Sequence, residues 1–100
     1  MTNLRPMTAE QRRAGQARSV EVRRIRRDLL AGLKAGRVTL RQVLDHDHAA
    51  PVRAGQLVRA MPGVGQARAA RVLAELGIDP SRRVGMLGSR QRAGLLDRLS

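Results

Sequence analysis

The sequence predicts an all-α protein, and three features carry that prediction. No segment alternates apolar and polar residues in the period of a strand. Apolar residues instead recur three and four apart, as in Val22, Ile25, Leu29 and Leu33. Helix start and stop signals punctuate the chain: Thr8 with Gln11, Gly36, Thr39 with Gln42, Gly77, and Gly88 with Ser89. The 100 residues suffice for one domain with one modest core. That core must be aliphatic, because the chain contains no Phe, Tyr or Trp.

Taken in order, residues 1–7 carry no periodic signal and read as a disordered tail. Thr8 and Gln11 have the spacing of a capping box, and a long basic helix is expected over residues 8–36, with Gly36 as its stop. At 1.5 Å per residue this helix is about 40 Å long. Its first half has nothing apolar larger than Ala before Val20, so only the second half can dock on a core. Residues 37–100 read as a compact helical domain. Thr39 and Gln42 open a short helix with Leu40, Val43 and Leu44 inward, and a third helix is expected from Ala54 to Met61. A fourth runs from Gln66 to Leu76 and stops at Gly77. Asp79-Pro80 reads as a further helix start, with Asp as cap and Pro first. One short turn over Ser81–Leu87 and a last helix after Gly88-Ser89 complete the chain.

The charge pattern narrows the partner. Twenty basic residues face eight acidic ones, a net charge of +12, and Lys34 is the single lysine. Such an excess on a small domain points to a polyanion. Single-strand binders stack bases on aromatic rings, and none is available here. A binder that tracks the phosphates of a nucleic-acid duplex is therefore expected.

The stretch Met61–Leu73 (MPGVGQARAARVL) says where. Pro62, Gly63, Val64 and Gly65 make a tight turn between two helices, with both glycines expected at positive φ and Val64 plugged into the core. The amides of Val64, Gly65, Gln66 and Ala67 would then lie at a helix start without intrahelical partners. A helix N-terminus favours negative charge, so these amides and Arg68 can grip a phosphate.

Residues Leu57–Leu76 resemble a helix–hairpin–helix motif, with Gly63, Val64, Gly65, Ala69 and Val72 in the motif's places. The resemblance extends over nearly the whole chain. The basic first helix, RVTLRQVL, MPGVGQARAARVLAELGI and SRRVGMLGSRQRAGLLDRL are together similar to the actinobacterial (mycobacterial-type) integration host factor family. That resemblance implies a helix-two-turn-helix domain like that of ribosomal protein S13. It also implies binding to double-stranded DNA with little sequence preference, bending or compaction of DNA at the nucleoid, and assistance to a phage-type integrase. It places DNA contacts on Gly63, Val64, Gly65, Gln66 and Arg68, on Arg82 and Arg83, and on Arg90 and Arg92. Many members carry a further Arg two residues after that pair; Gly85 stands there in this chain. The alternative reading is an S13-like protein that binds structured RNA or the ribosome.

Other classes find little support. No cysteine is present and His46 and His48 are the only histidines, so neither a disulfide scaffold nor a metal site is expected. A lyase needs a positioned amine and a nuclease needs clustered carboxylates. Lys34 is alone, Asp45 and Asp47 sit at a helix end, and the other acids are scattered. No enzyme activity and no cofactor are expected. MTNLRPMTAEQRR has no apolar core, and no run of the chain is long and apolar enough to span a bilayer. The expectation is a monomeric cytoplasmic protein without a membrane partner.

Overall fold

The structure is a computed structural model that describes the backbone of residues 9–99 and, within it, the side chains of Ala9 and of residues 18–99. The expected tail, the Thr8–Gln11 cap and the side chains of Arg12 and Arg13 lie outside the described residues. Among the described residues five α-helices follow in order: α1 (Ala9–Lys34), α2 (Leu40–Leu44), α3 (Ala54–Arg59), α4 (Gln66–Glu75) and α5 (Ser89–Leu99). Two short 3-10 helices, Asp47–Ala49 and Val84–Met86, sit between them. Among the described residues there is no strand, only an isolated antiparallel bridge between Arg53 and Arg83.

The core is aliphatic throughout. Leu33 from α1, Leu40 and Val43 from α2, Leu57 and Val58 from α3, Leu73 from α4 and Leu95 from α5 are all essentially inaccessible. Burying one such leucine fully is worth about 1.5–3 kcal/mol. Leu29, Leu30, Val64, Leu76, Leu96 and Leu99 pack around this centre half-buried. Helix α1 thus joins the core mainly through its C-terminal end. Val20, at the start of its apolar pattern, is 57% exposed.

Helix ends follow from local chemistry. Gly36 adopts φ +78, and the Arg37 amide donates to the Gly32 carbonyl at 2.8 Å, which closes α1. Thr39 caps α2 with the reciprocal bonds of a capping box: its Oγ1 accepts the Gln42 amide and Gln42 Oε1 accepts the Thr39 amide. His46 Nδ1 accepts the His48 amide at 3.1 Å, a local cap for the first 3-10 helix.

Two expectations about elements are corrected. The third helix stops at Arg59: the Ala60 and Met61 amides turn to the carbonyls three residues back, Leu57 and Val58, and the α-helical ladder ends in this tighter turn. Asp79-Pro80 opens no helix. Asp79 Oδ1 instead accepts both the amide and the hydroxyl of Ser81 at 2.8 Å, an Asx turn that competes with helix formation. The turn has a structural task of its own: the Pro80 and Arg82 carbonyls accept the Gly55 and Ala54 amides at the start of α3.

Candidate nucleic-acid interface

The helix–hairpin–helix is formed by α3, the turn Met61–Gly65 and α4. The turn closes when the Val64 amide donates to the Met61 carbonyl at 3.2 Å, with Gly63 at φ +74. One left-handed residue is enough for this geometry. Gly65 therefore differs from expectation: at φ −80, ψ 171 it is extended backbone that any residue adopts, and it serves as the N-cap of α4. The Val64 amide is likewise spent inside the turn rather than offered outward. Val64 itself is half-buried against the core, as the motif requires.

What remains open is the start of α4. Among the described residues no acceptor meets the amides of Gly65, Gln66 and Ala67. Gly65 has no side chain to cap them, and the first turn contains no carboxylate. Arg68 stands there instead, exposed. A cation at the positive end of a helix dipole is unfavourable unless an anion joins it. A Cβ placed at Gly63 or Gly65 would meet no protein atom within 4 Å, so the glycines leave the approach bare. The arrangement suits one tetrahedral oxyanion bound by main-chain N–H groups and a guanidinium.

A second cationic group surrounds the segment 79–83. The bridge places Arg53 beside Arg83, and Arg53 Nη1 donates to the Ser81 carbonyl at 2.7 Å. Gly55 lies under this segment, where an added Cβ would come within 3.2 Å of Pro80 Cβ. Arg82 donates through Nε and Nη2 to the Met86 carbonyl, at 3.2 and 2.8 Å, which fixes its guanidinium on the surface. Arg83 is exposed and has no partner among the described residues. Between α3, α4 and this segment lies an apolar cleft of about 430 Å³, with Arg53, Arg59 and Gln66 among its lining residues. Sequence reasoning missed Arg53 and Arg59, whose neighbours are set by tertiary packing alone.

Arg90 and Arg92 differ from each other. Arg90 is exposed at the start of α5. Arg92 is half-buried, and its Nη2 pairs with Asp45 Oδ1 at 2.6 Å, tying α5 to the end of α2. Asp45 is thereby accounted for as a structural partner. Among the described residues no three His, Cys, Asp or Glu side chains group closely enough to hold a metal.

Residues 33–99 match the S13-like H2TH domain family, so the domain match begins at the buried end of α1. Integration host factor of Mycolicibacterium smegmatis is 38% identical over 92% of this chain and 91% of its own length. The integration host factors of Streptomyces coelicolor (36%) and Mycobacterium tuberculosis (38%) match over the same share of this chain. This chain belongs to the integration host factor family. A solved structure of sIHF bound to an 8-bp palindromic DNA superposes with a TM-score of 0.72 at 32% identity, over 84% of this chain and 99% of that one. The family match extends well N-terminal of the S13-like domain, since 92% of the chain aligns with these relatives. Helix α1 is thus an integral part of the integration host factor chain, added to the domain that it precedes.

Proposed function

We propose that this integration host factor family member is a sequence-tolerant duplex-DNA-binding protein that docks on sugar–phosphate backbone. The observation that carries the reading is the unmet start of α4. Three amides without acceptors, a bare glycine approach and Arg68 together lack one thing, an oxyanion. The relative solved on DNA has the same fold. Arg82 and Arg83 supply a second contact, on the same duplex or another, and Arg90 and Arg92 flank it. Two contact points on one rigid domain bend one duplex or bridge two, which compacts DNA in the nucleoid. Binding of this kind reads no base edges. It needs no catalytic group, and the protein acts by shaping DNA, as a monomer that assists a phage-type integrase without doing its chemistry.

The salt dependence of duplex binding tests this. With about 5–8 phosphates neutralised, log K falls with log salt at a slope of about −5 to −7. A slope shallower than about −2 overturns the reading. The S13-like domain match makes RNA the natural competitor. Titrating a DNA duplex against an RNA duplex of equal length decides between them: preference for DNA supports the proposal and preference for RNA replaces it.

A further inference from the structure

Among the described residues two large apolar side chains stand in the open, Val20 and Met86, and Met86 is 65% exposed. Single exposed apolar residues are ordinary on a protein surface, so exposure alone decides nothing. What sets Met86 apart is its support and its neighbours. Val20 lies along α1, whereas Met86 ends the second 3-10 helix, a few residues from the arginine pair of the second contact.

The support is stiff. Val84, two residues before Met86, and Leu87, directly after it, are buried. The Val84 amide donates to the Val52 carbonyl at 2.8 Å, and the Gly85 amide to the Ala50 carbonyl at 3.0 Å. Gly85 lies so close to Ala50 that an added Cβ would come within 2.8 Å of the Ala50 Cβ. The Met86 and Leu87 amides close the turn on the Arg83 and Val84 carbonyls. The turn therefore has no room to sink into the domain when a partner presses on it, and Met86 stays outside.

The neighbours are cations. Arg82 donates through Nε and Nη2 to the Met86 carbonyl, so one guanidinium is fixed at the foot of the Met86 side chain. Arg83 is exposed, and among the described residues neither arginine joins an ion pair. The one carboxylate of this segment, Asp79, is turned to Ser81. An apolar chain set among cations fits a partner that is apolar within and anionic at its rim. A duplex is built that way, with stacked bases between two rows of phosphate. An anionic membrane shares the chemistry, but one methionine buries too little apolar area to hold a protein there. Methionine is also one of the side chains that enter the minor groove as wedges, and its unbranched thioether adapts to a narrow gap.

We propose that Met86 is a DNA wedge: it enters the minor groove of the duplex held by Arg82 and Arg83, pushes between two base pairs and kinks the helix. The inference rests on the proposed docking on duplex backbone and deepens it, since it makes bending one duplex, rather than bridging two, the task of the second contact. Apolar contact in the opened step offsets the lost stacking, and the phosphate contacts hold the kink. The kink forms most readily where stacking is weakest, at pyrimidine–purine steps or beside a mismatch. No base edge is read, so the preference among ordinary sequences stays slight.

The test uses the full chain and a duplex of about 24 bp with a donor and an acceptor dye at its ends, intact or with one central mismatch. Energy transfer at saturating protein and dilute DNA reports the bend of a single duplex, and anisotropy reports affinity. Met86→Ala removes the wedge, Met86→Leu keeps an apolar chain of similar reach, and thermal melting checks that both fold. The unaltered protein is expected to bend the intact duplex by at least about 20° and to bind the mismatched one about fivefold more tightly. Met86→Leu should retain both properties. Met86→Ala should show about half the bend or less and a mismatch preference below about twofold. Either readout left unchanged in Met86→Ala overturns the inference, as does a Met86→Leu protein that behaves like Met86→Ala. An unaltered protein that binds the duplex but leaves it straight also overturns it, and the phosphate docking then stands without a wedge. An unaltered protein that binds neither duplex removes both readings.

Discussion

The starts of α2 and α4 are the most instructive pair of regions in this molecule. Both helices follow a tight turn and both begin from an N-cap in extended backbone. At α2 the protein completes itself: Thr39 and Gln42 exchange two hydrogen bonds, and nothing is left for a ligand. At α4 the corresponding positions are Gly65 and Arg68, and no side chain turns back. A capping residue typically contributes about 1 kcal/mol to stability. The chain uses that device at α2 and omits it at α4; in the proposed function the open end is the one that holds a phosphate. The start of α3 is a third case, closed by the Pro80 and Arg82 carbonyls of a distant turn.

Substitutions can break this comparison at either end. The largest effect is expected at Gly63, whose φ of +74 L-residues with branched side chains rarely adopt. Gly63→Val costs about 2 kcal/mol through backbone strain alone, since no atom crowds the site. Its melting temperature drops accordingly, and duplex affinity drops with it because the α4 amides lose their aim. A melting temperature equal to that of the unaltered protein would show that the turn does not need its left-handed residue. Next, Arg68→Ala leaves stability unchanged but weakens duplex binding about tenfold, alike for unrelated sequences, and flattens the salt slope by about 1. Loss confined to one sequence, seen by anisotropy on a panel of duplexes, would point to base readout instead.

Thr39→Ala is the mirror experiment. It removes about 1 kcal/mol, a fall of about 4–8 °C in melting temperature for a domain of this size, and leaves DNA affinity unaltered. A loss of affinity there would mean that the cap of α2 also serves the interface.

The smallest effect is pH-dependent. The Ser81 amide, and then the Ser81 hydroxyl, hold the Asp79 carboxyl below the ordinary carboxylate range. A depressed folded-state pKa contributes stability that is present above the unfolded value, near pH 4, and is lost as pH falls through the folded value. Acid melting curves of Asp79→Ala should therefore converge on those of the unaltered protein at the lowest pH and separate from them above about pH 4. Parallel curves would show that the Asx turn does not support α3.

Much of this fold is legible in the sequence because its elements are announced locally. The apolar spacing of Leu40, Val43 and Leu44, or of Val72 and Leu73, needs only the helical period, and these residues are buried. Gly36, Gly63 and Gly77 do adopt positive φ, at turns where the pattern stops. What could not be read depends on partners remote in the chain or on which of two local bonds prevails. Asp79 caps the Ser81 amide as at a helix start, but no helix follows, because the Pro80 and Arg82 carbonyls are taken by the Gly55 and Ala54 amides and the Val84 amide bonds Val52. The Val64 amide and the φ of Gly65 are decided by how one turn closes, which composition does not specify. The pairing of Arg92 with Asp45 joins residues 47 apart. Arg53 and Arg59 gain their place only when α3 packs against α4, the segment 79–83 and α1.

Gly65→Asp measures the central claim most directly. The new carboxylate would occupy the N-cap of α4, accept the orphaned amides and stabilise the fold by a few tenths of a kcal/mol, which raises the melting temperature slightly. The same carboxylate would take the place of the phosphate, so duplex affinity should fall by about tenfold or more. Opposite signs for stability and binding from one substitution are the predicted result. Unchanged affinity in a stabilised Gly65→Asp protein would contradict the account, for the start of α4 would then not be where DNA is held.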